Sequence, residues 1–144
     1  MHSFSEFSTL FNQRFSAKQF PEQPANLYRA TDYFLQIGGK RIRPVLCLLG
    51  NELFEEVRPD AWSAATAIEL FHNFTLIHDD IMDEAPLRRG KKTVHEKWNL
   101  NTGILSGDAM LILAYQFFES YEPEIFHKLA KLFSKTALEV CEGQ

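Results

Sequence analysis

The spacing of the apolar residues constrains this chain more than any other feature, because it is the spacing of a helix from the start. Phe4, Phe7, Phe11 and Phe15 recur at intervals of three and four residues. Such intervals place side chains on one stripe of an α-helix, whereas a strand needs strict alternation. The same spacing returns in residues 27–37. We find no hairpin signal and no internal repeat, and we therefore predict an all-α fold.

Glycine, proline and asparagine mark where the predicted helices begin and end. Gly38 and the glycine after it are suited to the left-handed end of the second helix, and Pro44 is suited to the first position of the third. Two longer, strongly apolar helices follow over residues 61 to about 82 and 100 to about 121. Asn99, which tolerates a positive φ, separates the second of these from the preceding segment.

Composition limits the function classes. The chain has 144 residues and a formal net charge of -4, and this mild acidity argues against a non-specific nucleic-acid binder. Cys47 and Cys141 stand among apolar neighbours, which predicts buried free thiols in a reducing compartment, the cytoplasm. The first residues do not form a signal peptide, and no window approaches the ~20 apolar residues of a membrane span.

An acidic cluster ends the first of the two apolar helices. Asp79, Asp80, Asp83 and Glu84 put four carboxylates into six positions, where the helix terminus is already partly negative. Asp79 and Asp83 lie one turn apart on one face, so both can reach one Mg²⁺ ion and leave its other positions to water and phosphate. The alternative is a frayed helix end whose charges point into water.

Two basic clusters complement the acidic one. Lys40, Arg41 and Arg43 stand just before a helix N-terminus, where free N–H groups favour an anion such as diphosphate. Arg88 and Arg89 follow the acidic helix, and arginine suits bidentate binding of phosphate. Either cluster alone is most simply a solvated loop. Together with the carboxylates, they indicate one anionic ligand with a bound metal.

Two histidines share the helix with the acidic cluster. His78 directly precedes Asp79, so a metal-dependent phosphohydrolase of the HD type is an alternative, although that class needs a further histidine well upstream. His72 lies about two turns before Asp79, and we expect it to donate to a phosphate oxygen. A hydrogen-bonded core histidine remains the other interpretation.

Taken in order, these motifs resemble the trans-type isoprenyl diphosphate synthases, also called polyprenyl synthetases. The resemblance runs along nearly the whole chain. It rests on His72 and on the segments 38–44 (GGKRIRP), 76–83 (LIHDDIMD), 87–90 (LRRG), 93–95 (TVH), 106–109 (SGDA) and 141–144 (CEGQ). It implies the all-α helical prenyltransferase fold and a homodimer.

The resemblance also implies an activity and the residues that carry it. The family joins isopentenyl diphosphate to an allylic diphosphate, and its first aspartate-rich motif holds Mg²⁺. The catalytic residues it implies are Asp79, Asp80, Asp83 and Arg88, the three aspartates being the metal ligands and Arg88 contacting the allylic diphosphate. The residues implied for isopentenyl diphosphate are Lys40, Arg43, His72 and Arg89. Phe74, five positions before Asp79, matches a position where an aromatic residue is associated with short products, farnesyl or geranylgeranyl diphosphate.

One family feature has no counterpart in these residues. The second aspartate-rich motif, on a later helix of the family, is missing, so we expect residues 1–144 to be the N-terminal half of a single all-α domain that does not turn over alone. Two rivals stay open. One is a non-catalytic helical subunit or dimerisation module, and the other is a class I terpene cyclase, which does not need the isopentenyl diphosphate contacts of Lys40 and Arg43.

Overall fold

The computed structural model describes residues 1–15 and 20–144, and these form seven α-helices and one short hairpin. The all-α prediction is confirmed. The elements are α1 (Phe4–Phe15), α2 (Ala25–Gln36), α3 (Ile42–Glu52), α4 (Pro59–Met82), β1 (Leu87–Arg88), β2 (Lys91–Lys92), α5 (Val94–Lys97), α6 (Leu100–Gln116) and α7 (Pro123–Glu142). Within the described ranges, no helix is long and apolar enough to cross a membrane.

Helix α4 is the centre of the packing, because α3 and α6 both lie against it. Its Leu70 and Ile77 are fully enclosed, as are Met110 and Ala114 of α6. Helix α1 packs on α3, and α2 packs on α6, so these two N-terminal helices cover the outer faces of α3 and α6. The predicted phenylalanine stripe of α1 is buried except at its first residue, Phe4.

The crossing of α4 and α6 requires a glycine. A Cβ atom at Gly107 would lie 2.4 Å from Nε2 of His78 and 2.8 Å from Cγ2 of Ile77. At the same crossing, Nε2 of His78 lies 3.1 Å from the carbonyl oxygen of Ile104, to which its N–H donates. The close contact fixes the C-terminal end of α4, which carries the acidic cluster.

The prediction of no hairpin is wrong. Strands β1 and β2 pair antiparallel, with Leu87 opposite Lys92 and Arg88 opposite Lys91. The two residues between the strands, Arg89 and Gly90, both have positive φ values, 51° and 78°. Two consecutive positive φ values are those of a type I′ turn, which matches the twist of paired strands. The strands are too short and too polar to show an alternating pattern.

Helix α3 begins two residues earlier than predicted. Arg41 adopts a left-handed conformation (φ 53°, ψ 31°) and precedes the first helical residue, Ile42. Pro44 is therefore the third residue of α3, where its missing N–H costs nothing, because the first N–H groups of a helix have no partner within it. Gly38 does take the predicted left-handed conformation at the end of α2, with φ 85°.

Two further predictions are corrected near the ends of elements. Asn99 is extended (φ −166°) rather than left-handed, and its side chain caps α6 by accepting from the N–H of Thr102. Helix α6 ends at Gln116 rather than near residue 121.

The prediction of two buried thiols is wrong for Cys141. Cys47 is half-buried, and burial raises the pKa of its thiol, but Cys141 is exposed on α7.

The α4–α6 crossing gives a stability prediction with a matched control. Gly107→Ala should lower the free energy of unfolding by about 1–3 kcal/mol, because the methyl group overlaps side chains of α4. Gly50 lies inside α3 with open space around it, so Gly50→Ala should raise the free energy of unfolding by about 0.5–1 kcal/mol. Chemical denaturation measures both. Equal effects of the two substitutions would contradict the crossing described here.

Candidate functional site

The three aspartates at the end of α4 have different environments. Asp80 is buried, and both of its carboxylate oxygens accept hydrogen bonds from Arg88, at 2.9 Å from Nε and 2.9 Å from Nη2. This bidentate pair anchors strand β1 to α4 and neutralises the Asp80 carboxylate. The sequence could not single out Asp80, because the pairing depends on the hairpin that returns Arg88 to the helix.

Asp79 and Asp83 remain uncompensated. Asp79 is half-buried and Asp83 is exposed, and within the described residues neither carboxylate makes an ion pair. Asp83 follows the last residue of α4, and its N–H donates to the Asp79 carbonyl at 2.8 Å. Two hard oxygen donors one turn apart suit Mg²⁺, which usually takes only one or two carboxylates.

The donor set therefore fits an ion that obtains most of its ligands elsewhere. In the part of the chain that the structure describes, no group of three or more His, Cys, Asp or Glu side chains is arranged to hold a metal ion. Asp79 and Asp83 fit Mg²⁺ that is completed by water and phosphate oxygens. A carboxylate that accepts from an arginine keeps further lone pairs, so the predicted role of Asp80 as a metal ligand stays a prediction.

A polar cavity of about 150 Å³ lies beside α4 between Glu69 and Leu76, ahead of the acidic end of the helix. The loop between α2 and α3, the adjoining turn of α4 and the hairpin turn surround it. It brings together the four side chains predicted for isopentenyl diphosphate: Lys40, Arg43, His72 and Arg89. The four predicted residues thus lie around one cavity, and their role in binding isopentenyl diphosphate stays a prediction.

Arg89 reaches this cavity because Gly39 leaves room for its guanidinium. Its Nη1 donates to the carbonyl of Gly38. A Cβ atom at Gly39 would lie 3.0 Å from the same nitrogen, so a side chain there would press on the guanidinium. The absence of a side chain at Gly39 therefore positions Arg89, and the type I′ turn directs it across the loop.

His72 is held against Arg43. Nε2 of His72 lies 3.3 Å from Nη1 of Arg43, and because a guanidinium only donates, Nε2 must accept. Partial burial, and then the positive charge of Arg43, lower the pKa of His72 from its ordinary value of 6.5. The ring is therefore neutral at pH 7, with its proton on Nδ1. It orients Arg43 before any ligand arrives.

Arg41 is the residue that sequence reasoning placed wrongly, since it was grouped with the exposed cations. The structure buries it and pairs it with Glu69, with Nη1 to Oε1 at 2.5 Å. Asn73 supports this pair by donating to Oε1 of Glu69 at 3.2 Å. Glu69 and Asn73 were missed, although a glutamate in the middle of a strongly apolar helix is a signal that could have indicated an internal partner.

An apolar cavity of about 400 Å³ adjoins the polar one and shares Arg43 and His72 with it. It lies between α3, α4 and α7, and its wall on α4 includes Phe71 and Thr75. Phe74 is half-buried beside this wall, with its ring centroid 5.6 Å from that of Phe71. The two cavities together match a ligand with an anionic head and an apolar tail.

An all-α fold with an aspartate-rich helix end, and with a cationic cavity that shares two lining residues with an apolar one, is typical of the isoprenoid synthase class. The family model described as "Polyprenyl synthetase" matches residues 24–144. The chain belongs to the polyprenyl synthetase family.

Two curated relatives and one solved structure illustrate the similarity. The "Geranylgeranyl pyrophosphate synthase" of Geoglobus acetivorans is 42% identical over 137 residues, covering 94% of this chain and 43% of the relative. The "Geranylgeranyl diphosphate synthase" of Methanosarcina mazei is 43% identical over 124 residues, covering 85% and 38%. A crystal structure of a geranylgeranyl pyrophosphate synthase superposes with a TM-score of 0.95 at 54% identity, covering 100% of this chain and 44% of that one. The chain spans less than half the length of each.

Proposed function

We propose that this chain forms the diphosphate-binding wall of a prenyltransferase that joins isopentenyl diphosphate to an allylic diphosphate. The observation that carries the proposal is the convergence of Lys40, Arg43, His72 and Arg89 on one polar cavity, which shares Arg43 and His72 with an apolar cavity. A short prenyl diphosphate has this division into a charged head and an apolar tail. The two relatives are named as geranylgeranyl diphosphate synthases, which supports a short product such as geranylgeranyl diphosphate; farnesyl diphosphate is the other short product that the family resemblance implies.

The cationic side chains have the task of holding isopentenyl diphosphate. Arg43 and Arg89 offer planar forks that match phosphate oxygens, and Lys40 adds a mobile point charge. The free N–H groups at the start of α3 favour an anion at the same place. His72 begins neutral and becomes easier to protonate as negative charge enters the cavity.

The carboxylates have the task of holding the metal. Asp79 and Asp83 would hold Mg²⁺, which when bound stabilises the negative charge that develops on the departing allylic diphosphate. Arg88, fixed by Asp80 through Nε and Nη2, keeps Nη1 without a hydrogen-bond partner in the described residues and can direct it at that diphosphate. Departure of the diphosphate is the step that such charges accelerate, and no protein nucleophile is needed.

The cations also weigh against the rivals. A terpene cyclase has no isopentenyl diphosphate to hold, and a purely structural subunit gains nothing from uncompensated charges. Assembly remains part of the proposal, because α6 exposes Leu105 and Ile112, and α7 exposes Leu132 and Leu138, surfaces that the rest of the domain and a second subunit would cover. The cytoplasmic location stays a prediction from composition.

The proposed function predicts a specific loss of binding. Lys40→Ala should weaken binding of isopentenyl diphosphate by about 1.5–3 kcal/mol, the contribution of a hydrogen bond to a charged group, as measured by titration calorimetry. Lys128→Ala is the matched control, since Lys128 is an exposed lysine of α7 paired with Glu124, away from the cavity. Equal affinities of the Lys40 and Lys128 variants would contradict the proposed site.

Product length gives a second prediction, on Phe74. In a full-length family enzyme that carries this segment in place of its own, Phe74→Ala should shift the products to longer chains, because the family resemblance implies that an aromatic ring at this position limits the length of the product. Chromatography of the dephosphorylated products measures the shift. Phe54→Ala removes a phenylalanine that is 90% exposed and should leave the distribution unchanged. An unchanged distribution with Phe74→Ala would remove this residue from the account.

A further inference from the structure

We infer that Arg41 and Glu69 are positioning residues, whose buried ion pair holds the cationic loop and the histidine of α4 in the arrangement that recognises diphosphate. The inference rests on the proposed function, because it concerns the same cavity. Both residues also line the polar cavity, but their charged groups bind each other, so we assign them no direct contact with the ligand. Their role is to determine where Lys40, Arg43 and His72 stand.

Arg41 joins the four N-terminal helices at one point. Its guanidinium donates to Glu69 Oε1 of α4 at 2.5 Å, to Asn12 Oδ1 of α1 at 2.9 Å, and to the Leu35 carbonyl of α2 at 3.3 Å. It also lies over the Phe15 ring, 4.9 Å from the centroid. Because Arg41 itself directly precedes α3, a shift of any of these helices would break one of its contacts.

The pair is not explained by stability alone. The side chains of Arg41 and Glu69 are 5% and 4% exposed, and a buried ion pair is often no more stabilising than apolar residues of the same volume. The left-handed φ of Arg41 adds a conformational cost that most side chains avoid. Two unfavourable features at one residue beside a binding cavity indicate a geometric requirement.

The ion pair of Arg41 with Glu69 also determines which side chains of the loop face the cavity. With the Arg41 side chain turned into the core, the cations on either side of it, Lys40 and Arg43, are exposed and line the polar cavity. The left-handed backbone at Arg41 is the point at which the chain turns from this loop into α3. Without the internal anchor, the loop would lose the contact that fixes this turn.

The same pair fixes the opposite wall. Glu69 stands one turn before His72 on α4, and Asn73 locks its carboxylate in place by donating to Oε1 at 3.2 Å and to the Glu69 carbonyl at 2.7 Å. The anchor of the loop is thus attached to the turn that carries the histidine. Beside this anchor, Nη1 of Arg43 lies 3.3 Å from Nε2 of His72, which joins the loop to α4 a second time.

The test uses a double substitution that keeps the net charge. Arg41→Gln with Glu69→Gln replaces the ion pair by two amides that can still hydrogen-bond, so no buried charge is left alone. The matched control is Arg58→Gln with Asp60→Asn, which removes an exposed ion pair of 3.0 Å at the other end of α4. The wild-type chain and both variants are titrated with inorganic diphosphate and with orthophosphate, and circular dichroism checks the helical content.

We expect the buried double variant to keep its helical spectrum and to bind diphosphate about tenfold or more weakly, because misplaced groups no longer meet both phosphates at once. Its preference for diphosphate over orthophosphate should fall as well, since a single phosphate needs fewer aligned cations. The surface double variant should stay within about twofold of wild type for both anions.

Two results would overturn the inference. One is a folded buried variant that binds diphosphate as tightly as wild type. The other is a loss by the same factor for both anions, as a merely structural role would give. If the double variant loses its helical spectrum, Arg41→Lys decides by the same criteria, because lysine keeps the charge beside Glu69 but cannot also reach Asn12 and Leu35. A wild-type chain that fails to bind diphosphate would instead refute the proposed function.

Discussion

The site depends on charged side chains that the fold leaves without partners of opposite charge. Lys40, Arg43 and Arg89 gather around a cavity of about 150 Å³, and within the described residues none of them makes an ion pair with a carboxylate. Asp79 and Asp83 stand at a helix end that is already partly negative. Each set repels itself, and only ligands of the opposite sign relieve both. On the proposed function, an anion with its metal ion would complement both sets of charges.

The surrounding structure holds these charges in place instead of neutralising them. The contact at Gly107 fixes the end of α4, and the bidentate pair of Asp80 with Arg88 ties the hairpin to it. Helix packing in the core supplies the stability that offsets the repulsion between these like charges. Asp80 and Arg41 therefore turn inward and hold the structure together, while the other charged residues of the same motifs remain available to a ligand.

Much of the fold could be predicted because helical periodicity is a local property. The phenylalanine stripe of α1 follows from spacing, and the long helix α4 follows from its apolar run and the proline at its start. The hairpin could not be predicted, since two-residue strands show no alternation. The direction of Arg41 could not be predicted either, because it depends on a left-handed φ and on a partner 28 residues away. The family resemblance implied one site for the four cavity residues, but nothing in the sequence separated Asp80 from Asp79 and Asp83, because that difference depends on the hairpin.

The pKa of His72 tests the central claim most directly, because this ring stands among the crowded cations. Proton NMR of its ring, assigned with His72→Gln, is followed against pH with and without inorganic diphosphate. The account predicts a pKa below 6.5 in the free chain, and a rise when diphosphate is added, because the anion stabilises the protonated ring. Diphosphate then binds more tightly as the pH falls through that range. A pKa that does not move with diphosphate would contradict the claim that these residues form one anion site.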